Sequence, residues 1–126
     1  MSLLEGIKVV EFTTRAAGSV CGRILADRKA DVIKVEPIGG EAFRAWEACP
    51  GAPTQEDENP LFELGNANKR GLAIDATTED GKKIMFRLLE RADVFLTNYS
   101  EKELAGLRLD RDTLSERYPR LICGYL

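Results

Sequence analysis

GIKVVEFTTRAAGSVCGRILADRKADVIKVE, residues 6–36, is the stretch that decides the fold class of this chain. The apolar run at 7–12 is rich in β-branched residues and is typical of a strand buried on both faces. Small residues at 13–18 end that run, a helical stretch follows, and residues 31–36 return to strand. Two strands joined by a crossover helix make a βαβ unit, which implies a parallel sheet with ligands at the carboxyl ends of its strands.

The turn at residues 13–22, TTRAAGSVCG, carries neither phosphate-binding fingerprint. Gly18 and Gly22 do not have the GxGxxG spacing, and no GK[ST] follows, so neither a dinucleotide motif nor a P-loop is predicted. Two interpretations of the turn remain open. Its small residues either bring the backbone of a helix N-terminus close to a ligand, or let the helix pack closely on the strand. Arg15 is either a contact for a phosphate or a solvated loop residue.

Composition excludes several classes of function. The 126 residues are 44% hydrophobic and 31% charged, which is the composition of one globular domain. A net charge of −3 argues against a nucleic-acid partner, and no apolar run is long enough to span a membrane. The chain has no histidine, so histidine-based catalysis and HExxH metal sites are excluded. Its three cysteines are an odd number without a CxxC pair, which favours a reduced intracellular setting and no metal site.

A long excursion is predicted at residues 49–60, CPGAPTQEDENP, because three prolines and a run of acids and amides give no packing pattern. Residues 41–48 before it predict one or two helical turns. Trp46 lies there, either as a binding-site aromatic or packed under the loop.

The second half of the chain alternates strand and helix again. Strands are predicted at 72–75, 92–97 and 120–126, and helices at 101–105 and 110–116, the latter capped by Asp110. A further helix follows a cap at Thr77 or Thr78, and its apolar stripe is predicted to comprise Ile84, Met85, Leu88 and Leu89. The whole pattern predicts an α/β fold with a mostly parallel sheet. Because the sequence stops at a strand that a helix would normally cover, we expect a longer protein.

The ordered motifs resemble a known family. They are GIKVVEFT at 6–13, AAG at 16–18, LAD at 25–27, ADVIKVEP at 30–37, GGE at 39–41, NANKR at 66–70, DGKK at 80–83, ADVFLTN at 92–98 and YPRLI at 118–122. Together they resemble the N-terminal segment of the family III CoA-transferases of the CaiB/BaiF type. This family includes formyl-CoA, carnitine-CoA and aryl- or hydroxyacyl-CoA transferases and α-methylacyl-CoA racemase.

The resemblance implies that residues 1–126 form the N-terminal segment of a Rossmann-like, three-layer domain that binds coenzyme A. It also implies a cytoplasmic enzyme that works as an interlocked homodimer on an acyl-CoA and a carboxylic acid, without a metal. In this chemistry an aspartate attacks the acyl-CoA thioester, and an aspartyl-CoA thioester then passes CoA to the incoming acid. The nucleophilic aspartate is expected beyond Leu126, so Asp75, Asp93 and Asp110 are not assigned that role.

The resemblance also implies which residues contact CoA. Three segments follow strands at one edge of the sheet, and their residues are Ala16, Ala17, Ile74, Asp75, Ala76, Thr77, Asn98, Tyr99 and Ser100. Three departures from the formyl-CoA transferases bear on the acyl group. Pro37 replaces an arginine, Ala16 a glutamine and Arg108 a glycine, which favours a bulkier aryl or hydroxy acid.

Two questions stay open from sequence alone. Asn66, Lys69 and Arg70 either bind CoA phosphates, tie the excursion to the sheet, or lie at a dimer contact. The protein is either a CoA-transferase, an α-methylacyl-CoA racemase, or a non-catalytic nucleotide-binding module.

Overall fold

The computed structural model describes residues 2–45 and 59–126. The strands are β1 (Lys8–Phe12), β2 (Asp31–Glu36), β3 (Arg70–Ala73), β4 (Val94–Thr97) and β5 (Ile122–Tyr125). The helices are α1 (Arg15–Asp27), α2 (Pro60–Asn66), α3 (Glu79–Leu89), α4 (Glu101–Leu107) and α5 (Arg111–Arg117), with a 3-10 turn at Ala42–Ala45. Within these ranges no helix is both long and apolar enough to cross a membrane. Trp46 and the predicted excursion as far as residue 58 lie outside the described residues.

The strands form one parallel sheet in the order β3-β2-β1-β4-β5. The predicted α/β class with a parallel sheet is confirmed. The chain runs outward from β1 to β3, then returns to β1 and runs outward on the other side. Such a reversal leaves a crevice at the carboxyl ends of the central strands, which is where open α/β sheets bind ligands.

Helices cover both faces of the sheet, because alternate side chains of each strand point to opposite sides. On β1, Val9 packs with Ala26 and Ala30 of the α1 layer, whereas Val10 and Phe12 join the core under α3, α4 and α5. The predicted burial of the first strand on both faces is confirmed, since Val9 to Phe12 are all at most 5% exposed.

Side-chain caps set the helix starts. The Thr78 hydroxyl accepts a hydrogen bond from the Gly81 amide at 3.0 Å, and Asp110 Oδ1 accepts one from the Thr113 amide at 3.0 Å. The structure thus selects Thr78 from the two predicted candidates, Thr77 and Thr78, as the cap of α3, and it confirms Asp110 as the cap of α5. Each cap satisfies an amide that has no partner inside its helix.

Two local predictions were wrong. Ile84 is 41% exposed, although it was assigned to the apolar stripe of α3, because the buried line of that helix runs through Gly81, Met85 and Leu89. The strand predicted at 72–75 is instead β3, Arg70–Ala73. Arg70 pairs in register with Ile33, so the strand begins two residues earlier than predicted and includes a charged residue.

Close packing of α1 on β1 depends on two glycines. A Cβ on Gly18 would overlap the Thr13 side chain, and one on Gly22 would overlap Glu11 Oε2. The packing interpretation of the small-residue turn is therefore confirmed for these two positions.

Gly22→Ala should destabilise the protein by about 1–3 kcal/mol, because the new methyl group collides with a buried carboxylate. Gly106→Ala in α4 is the matched control, since a Cβ there meets nothing within 4 Å. The control should gain about 0.5–1 kcal/mol from helix propensity alone. Urea unfolding of both variants measures the difference, and equal stabilities would contradict the packing argument.

Candidate functional site

A cleft of about 400 Å³ opens at the carboxyl edge of the sheet. It is formed where β1, β2, β3 and β4 end, with α4 at its side. The residues that line it are Phe12, Pro37, Ile38, Ile74, Asp75, Ala76, Thr77, Tyr99 and Leu107. Mostly apolar walls with a few polar groups at the rim are typical of small-molecule sites.

An aromatic pair forms one wall of this cleft. The rings of Phe12 and Tyr99 stack with their centroids 4.5 Å apart and their planes 19° apart. Burial raises the pKa of Tyr99, and the nearby carboxylates, Glu41 first among them, raise it further. The Tyr99 hydroxyl therefore stays neutral at pH 7 and serves as a hydrogen-bonding group beside a flat apolar surface.

The structure brings five of the nine predicted contact residues together. Ile74, Asp75, Ala76, Thr77 and Tyr99 line the one cleft. That these residues contact CoA remains a prediction.

The other four predicted residues lie outside the cleft lining. Ala16 and Ala17 belong to the first turn of α1 and not to a loop, because the helix already begins at Arg15. Ser100 and Glu103 form the capping box of α4. Asn98 has a structural partner: its Oδ1 accepts from the Thr14 amide at 2.9 Å, and its Nδ2 donates to the Thr14 carbonyl at 2.7 Å.

The three aspartates that were not assigned the role of nucleophile have structural contacts. Asp75 Oδ1 accepts from the Thr77 amide at 2.9 Å and from its hydroxyl at 2.6 Å, and these bonds lower the pKa of Asp75. Asp93 Oδ2 accepts a hydrogen bond from the Lys8 amide at 2.9 Å, at the amino ends of β1 and β4 and therefore opposite the cleft. With Asp110 at the α5 cap, each carboxylate orders the local backbone.

A buried cluster of four charges lies beneath the β1–α1 connection, and sequence reasoning missed it. Lys34 Nζ lies 3.1 Å from Glu11 Oε1 and 3.1 Å from Glu41 Oε1, and Lys69 Nζ lies 2.7 Å from Glu11 Oε2. All four side chains are at most 3% exposed. Two acids and two lysines make the cluster neutral, as burial in a protein interior demands.

One signal in the sequence pointed to this cluster. Glu11 and Lys34 are opposite charges, and each lies between two apolar residues within its strand. In the sheet these two residues are register partners.

Lys69 and Arg70 have structural partners. Lys69 Nζ donates to the Ser19 carbonyl at 2.7 Å and to Asn66 Oδ1 at 2.8 Å. Burial lowers the pKa of Lys69, and the Glu11 carboxylate opposes this shift. Arg70 forms a two-bond ion pair with Asp31, at 2.9 and 2.7 Å. These contacts tie the segment before β3 to the sheet and to α1.

Glu36 and Arg44 form a second ion pair at the end of β2. Arg44 Nε and Nη2 donate to the two Glu36 oxygens at 2.7 and 2.8 Å. Burial by itself would raise the pKa of Glu36, but Arg44 and the Glu41 amide outweigh it, so this pKa lies below its ordinary value.

Comparison with known proteins gives a consistent result. The sequence model of the family described as CoA-transferase family III matches residues 4–126 of this chain. The chain is 41% identical over 120 residues to the (R)-2-hydroxy-4-methylpentanoate CoA-transferase of Clostridioides difficile, covering 95% of this chain and 30% of that protein. It is 38% identical over 121 residues to the cinnamoyl-CoA:phenyllactate CoA-transferase of Clostridium sporogenes, covering 96% and 29%.

A solved structure agrees. A CaiB/BaiF family protein from Brucella suis superposes with a TM-score of 0.87 at 36% identity, covering 98% of this chain and 33% of that one. The chain therefore spans about a third or less of the length of these relatives.

Lys69→Met should destabilise the protein by about 3–5 kcal/mol, because it leaves buried Glu11 with only one of its two cations. Lys83→Met is the matched control, since its ion pair with Asp80 is exposed and should leave stability nearly unchanged. In the double variant Glu11→Gln/Lys69→Met, the loss in the free energy of unfolding should be smaller, by about 0.5–3 kcal/mol, than the sum of the losses in the two single variants. Urea unfolding measures Lys69→Met, Glu11→Gln, the double variant and Lys83→Met, and strict additivity of the two single losses would contradict the coupling.

Stability should fall at acidic pH partly through Glu36. Because the pKa of Glu36 is lowered, its pair with Arg44 stabilises the fold above the ordinary value of 4.5. That contribution is lost as pH falls through the lowered pKa. Arg44→Met removes the cation, so the pKa of Glu36 should rise toward its ordinary value and the loss of stability on acidification should become smaller. Arg87→Met on α3 should leave the profile unchanged. Melting temperatures from about pH 3 to about pH 7 test this, and coincident profiles for all three proteins would contradict it.

Proposed function

This chain belongs to CoA-transferase family III, and on that premise we propose that residues 1–126 form the CoA-binding part of an enzyme that moves CoA between an acyl-CoA and a carboxylic acid. The observation that carries the proposal is the cleft at the carboxyl edge of the sheet. It lies at the crevice where the chain reverses around β1, and five residues that the resemblance assigns to CoA contact line it.

The chemistry of the cleft suits the uncharged parts of CoA. Phe12 and Tyr99 supply a stacked aromatic wall, and Ile38 is a 73% exposed apolar residue at its mouth. The adenine ring and the pantetheine arm have large apolar surfaces whose burial stabilises a complex. Among the described residues that line the cleft, none is a lysine or arginine, so we place the CoA phosphates outside it.

The names of two relatives support a substrate class. One acts on (R)-2-hydroxy-4-methylpentanoate and the other on cinnamoyl-CoA and phenyllactate. Both names include a branched or aryl 2-hydroxy acid, which agrees with the bulkier acyl group suggested by Pro37, Ala16 and Arg108. We therefore assign a 2-hydroxy acid as the acid that exchanges CoA.

The reaction needs a carboxylate nucleophile, and we place it outside residues 1–126. An aspartate there attacks the thioester carbonyl and releases CoA as thiolate, which then attacks the resulting anhydride and releases the first acid. The carboxylate of the second acid attacks the aspartyl thioester and releases the CoA thiolate with formation of a second anhydride. The thiolate then attacks the acyl carbonyl of that anhydride, which gives the new acyl-CoA and frees the aspartate. The family resemblance also supports an interlocked homodimer in the cytoplasm, and both belong to the proposal.

An activity assay tests the reaction class. The polypeptide that carries this sequence is incubated with an aryl acyl-CoA and a 2-hydroxy acid such as phenyllactate, and the thioesters are separated by chromatography. A new 2-hydroxyacyl-CoA with release of the aryl acid is expected. A parallel incubation contains a 2-methylacyl-CoA, and its epimerisation without CoA transfer in either incubation would overturn the proposal in favour of a racemase.

Ile38→Glu should weaken CoA binding about tenfold or more, because it places a charge at the mouth of an apolar cleft that receives the uncharged parts of CoA, and a charge is costly to remove from water. Leu3→Glu is the matched control, since Leu3 is 80% exposed and does not line the cleft. Its affinity should stay within about twofold of the unchanged protein. Calorimetric titration with CoA measures both, and equal affinities would overturn the assignment of the cleft.

A further inference from the structure

The N-terminus of α1 lacks a cap from its own sequence. Thr14 is the N-cap residue, but within the described part of the chain its side chain makes no capping hydrogen bond to the helix, and the first turn contains no acid. Arg15, the first helical residue, has φ +64°, a left-handed conformation that residues other than glycine rarely adopt. This corner therefore needs support from elsewhere in the chain.

Glu41 supplies that support from 26 residues away. Its Oε2 atom accepts hydrogen bonds from the Thr14 hydroxyl at 2.8 Å, the Arg15 amide at 2.7 Å and the Phe43 amide at 3.2 Å. Its Oε1 atom lies 3.1 Å from Lys34 Nζ. The residue is 4% exposed, so a buried carboxylate lies at the positive end of the helix dipole.

In βαβ units that bind nucleotides, this position at the first helix N-terminus receives a phosphate of the ligand. We propose that Glu41 is a positioning residue whose carboxylate occupies that phosphate position permanently, holds the Thr14–Arg15 corner in shape, and excludes a ligand phosphate from it. The inference deepens the proposed function and rests on it only where CoA affinity is the measured quantity.

The position of Glu41 connects this corner to the cleft. Its amide donates to Glu36 Oε2 at 3.1 Å, at the end of the β2 turn whose Pro37 and Ile38 line the cleft. On the other side, Asn98 bonds both backbone groups of Thr14, next to the cleft residue Tyr99. Glu41 therefore joins the β1–α1 corner, through its carboxylate, to a wall of the cleft, through its backbone amide. The exclusion of phosphate leaves that cleft to the uncharged parts of CoA.

Chemical rescue tests the inference. Glu41→Ala removes the carboxylate and leaves the Arg15 amide, the Thr14 hydroxyl and the Lys34 ammonium facing an empty space that acetate fits. CoA affinity should fall about tenfold, and added acetate should restore it in a saturable manner to within about threefold of the unchanged protein. Sodium chloride at the same concentration controls for ionic strength, and acetate should leave the unchanged protein unaffected.

Two control variants separate positioning from general destabilisation. Val32→Ala weakens the core cluster on the α1 side of the sheet, which contains none of the residues that line the cleft, and should lower the melting temperature without changing CoA affinity or responding to acetate. Glu63→Ala removes an exposed acid on α2 and should change neither quantity. Failure of acetate to restore the CoA affinity of Glu41→Ala would overturn the inference.

A second variant and a second readout keep the test decisive. If Glu41→Ala does not fold, Glu41→Gln retains an acceptor oxygen but not the charge, and should weaken CoA binding about two- to fivefold. Affinity equal to that of the unchanged protein would overturn the inference. If the unchanged protein does not bind CoA, the proposed function fails by itself. The inference is then decided by whether acetate raises the melting temperature of Glu41→Ala selectively.

Discussion

The ion pair between Glu11 and Lys34, buried between neighbouring strands, is the interaction on which the rest of the structure depends. Its two side chains are 0% and 3% exposed, and their residues are register partners in β1 and β2. Because side chains alternate across a strand, a slip of either strand by one residue would move one charge into the apolar core on the opposite face. The pair therefore specifies the register of the two strands, and a buried charge without its partner would be strongly destabilising.

Further contacts extend from this pair to the elements around it. Lys69 joins the segment before β3 to Glu11 and to the Ser19 carbonyl of α1, and Glu41 joins the β2 turn to the start of α1. Gly22 lets the helix approach closely enough for Glu11 to be enclosed. The same alternation along β1 sends Phe12 to the opposite face, where it forms the wall of the cleft with Tyr99. A polar support and an apolar binding surface thus lie on the two faces of one strand.

Local patterns predicted most of the fold. The apolar runs predicted the succession of strands along the chain. Asp110 was predicted as a cap, and the cap of α3 was narrowed to Thr77 or Thr78, because such bonds are to amides three residues away. Prediction failed where the deciding contact was distant. Ile84 fitted the helical period, but the position of the sheet decided which side of α3 is buried. Ala16 and Ala17 were predicted in a loop, since the cap that starts α1 at Arg15 comes from Glu41 and is invisible in the local sequence.

The sequence by itself determined the α/β class, the βαβ unit at residues 6–36 and the family, because these depend on periodicities and motifs within short segments. It also indicated five residues that the fold gathers at one cleft. Only the tertiary structure decided the roles of Glu11, Lys34, Glu41 and Lys69. Their charges come from segments up to 58 residues apart, and each becomes tolerable in the interior only when the others are already in place. A neutral cluster of this kind is a property of the assembled fold, so no single segment of the sequence could reveal it.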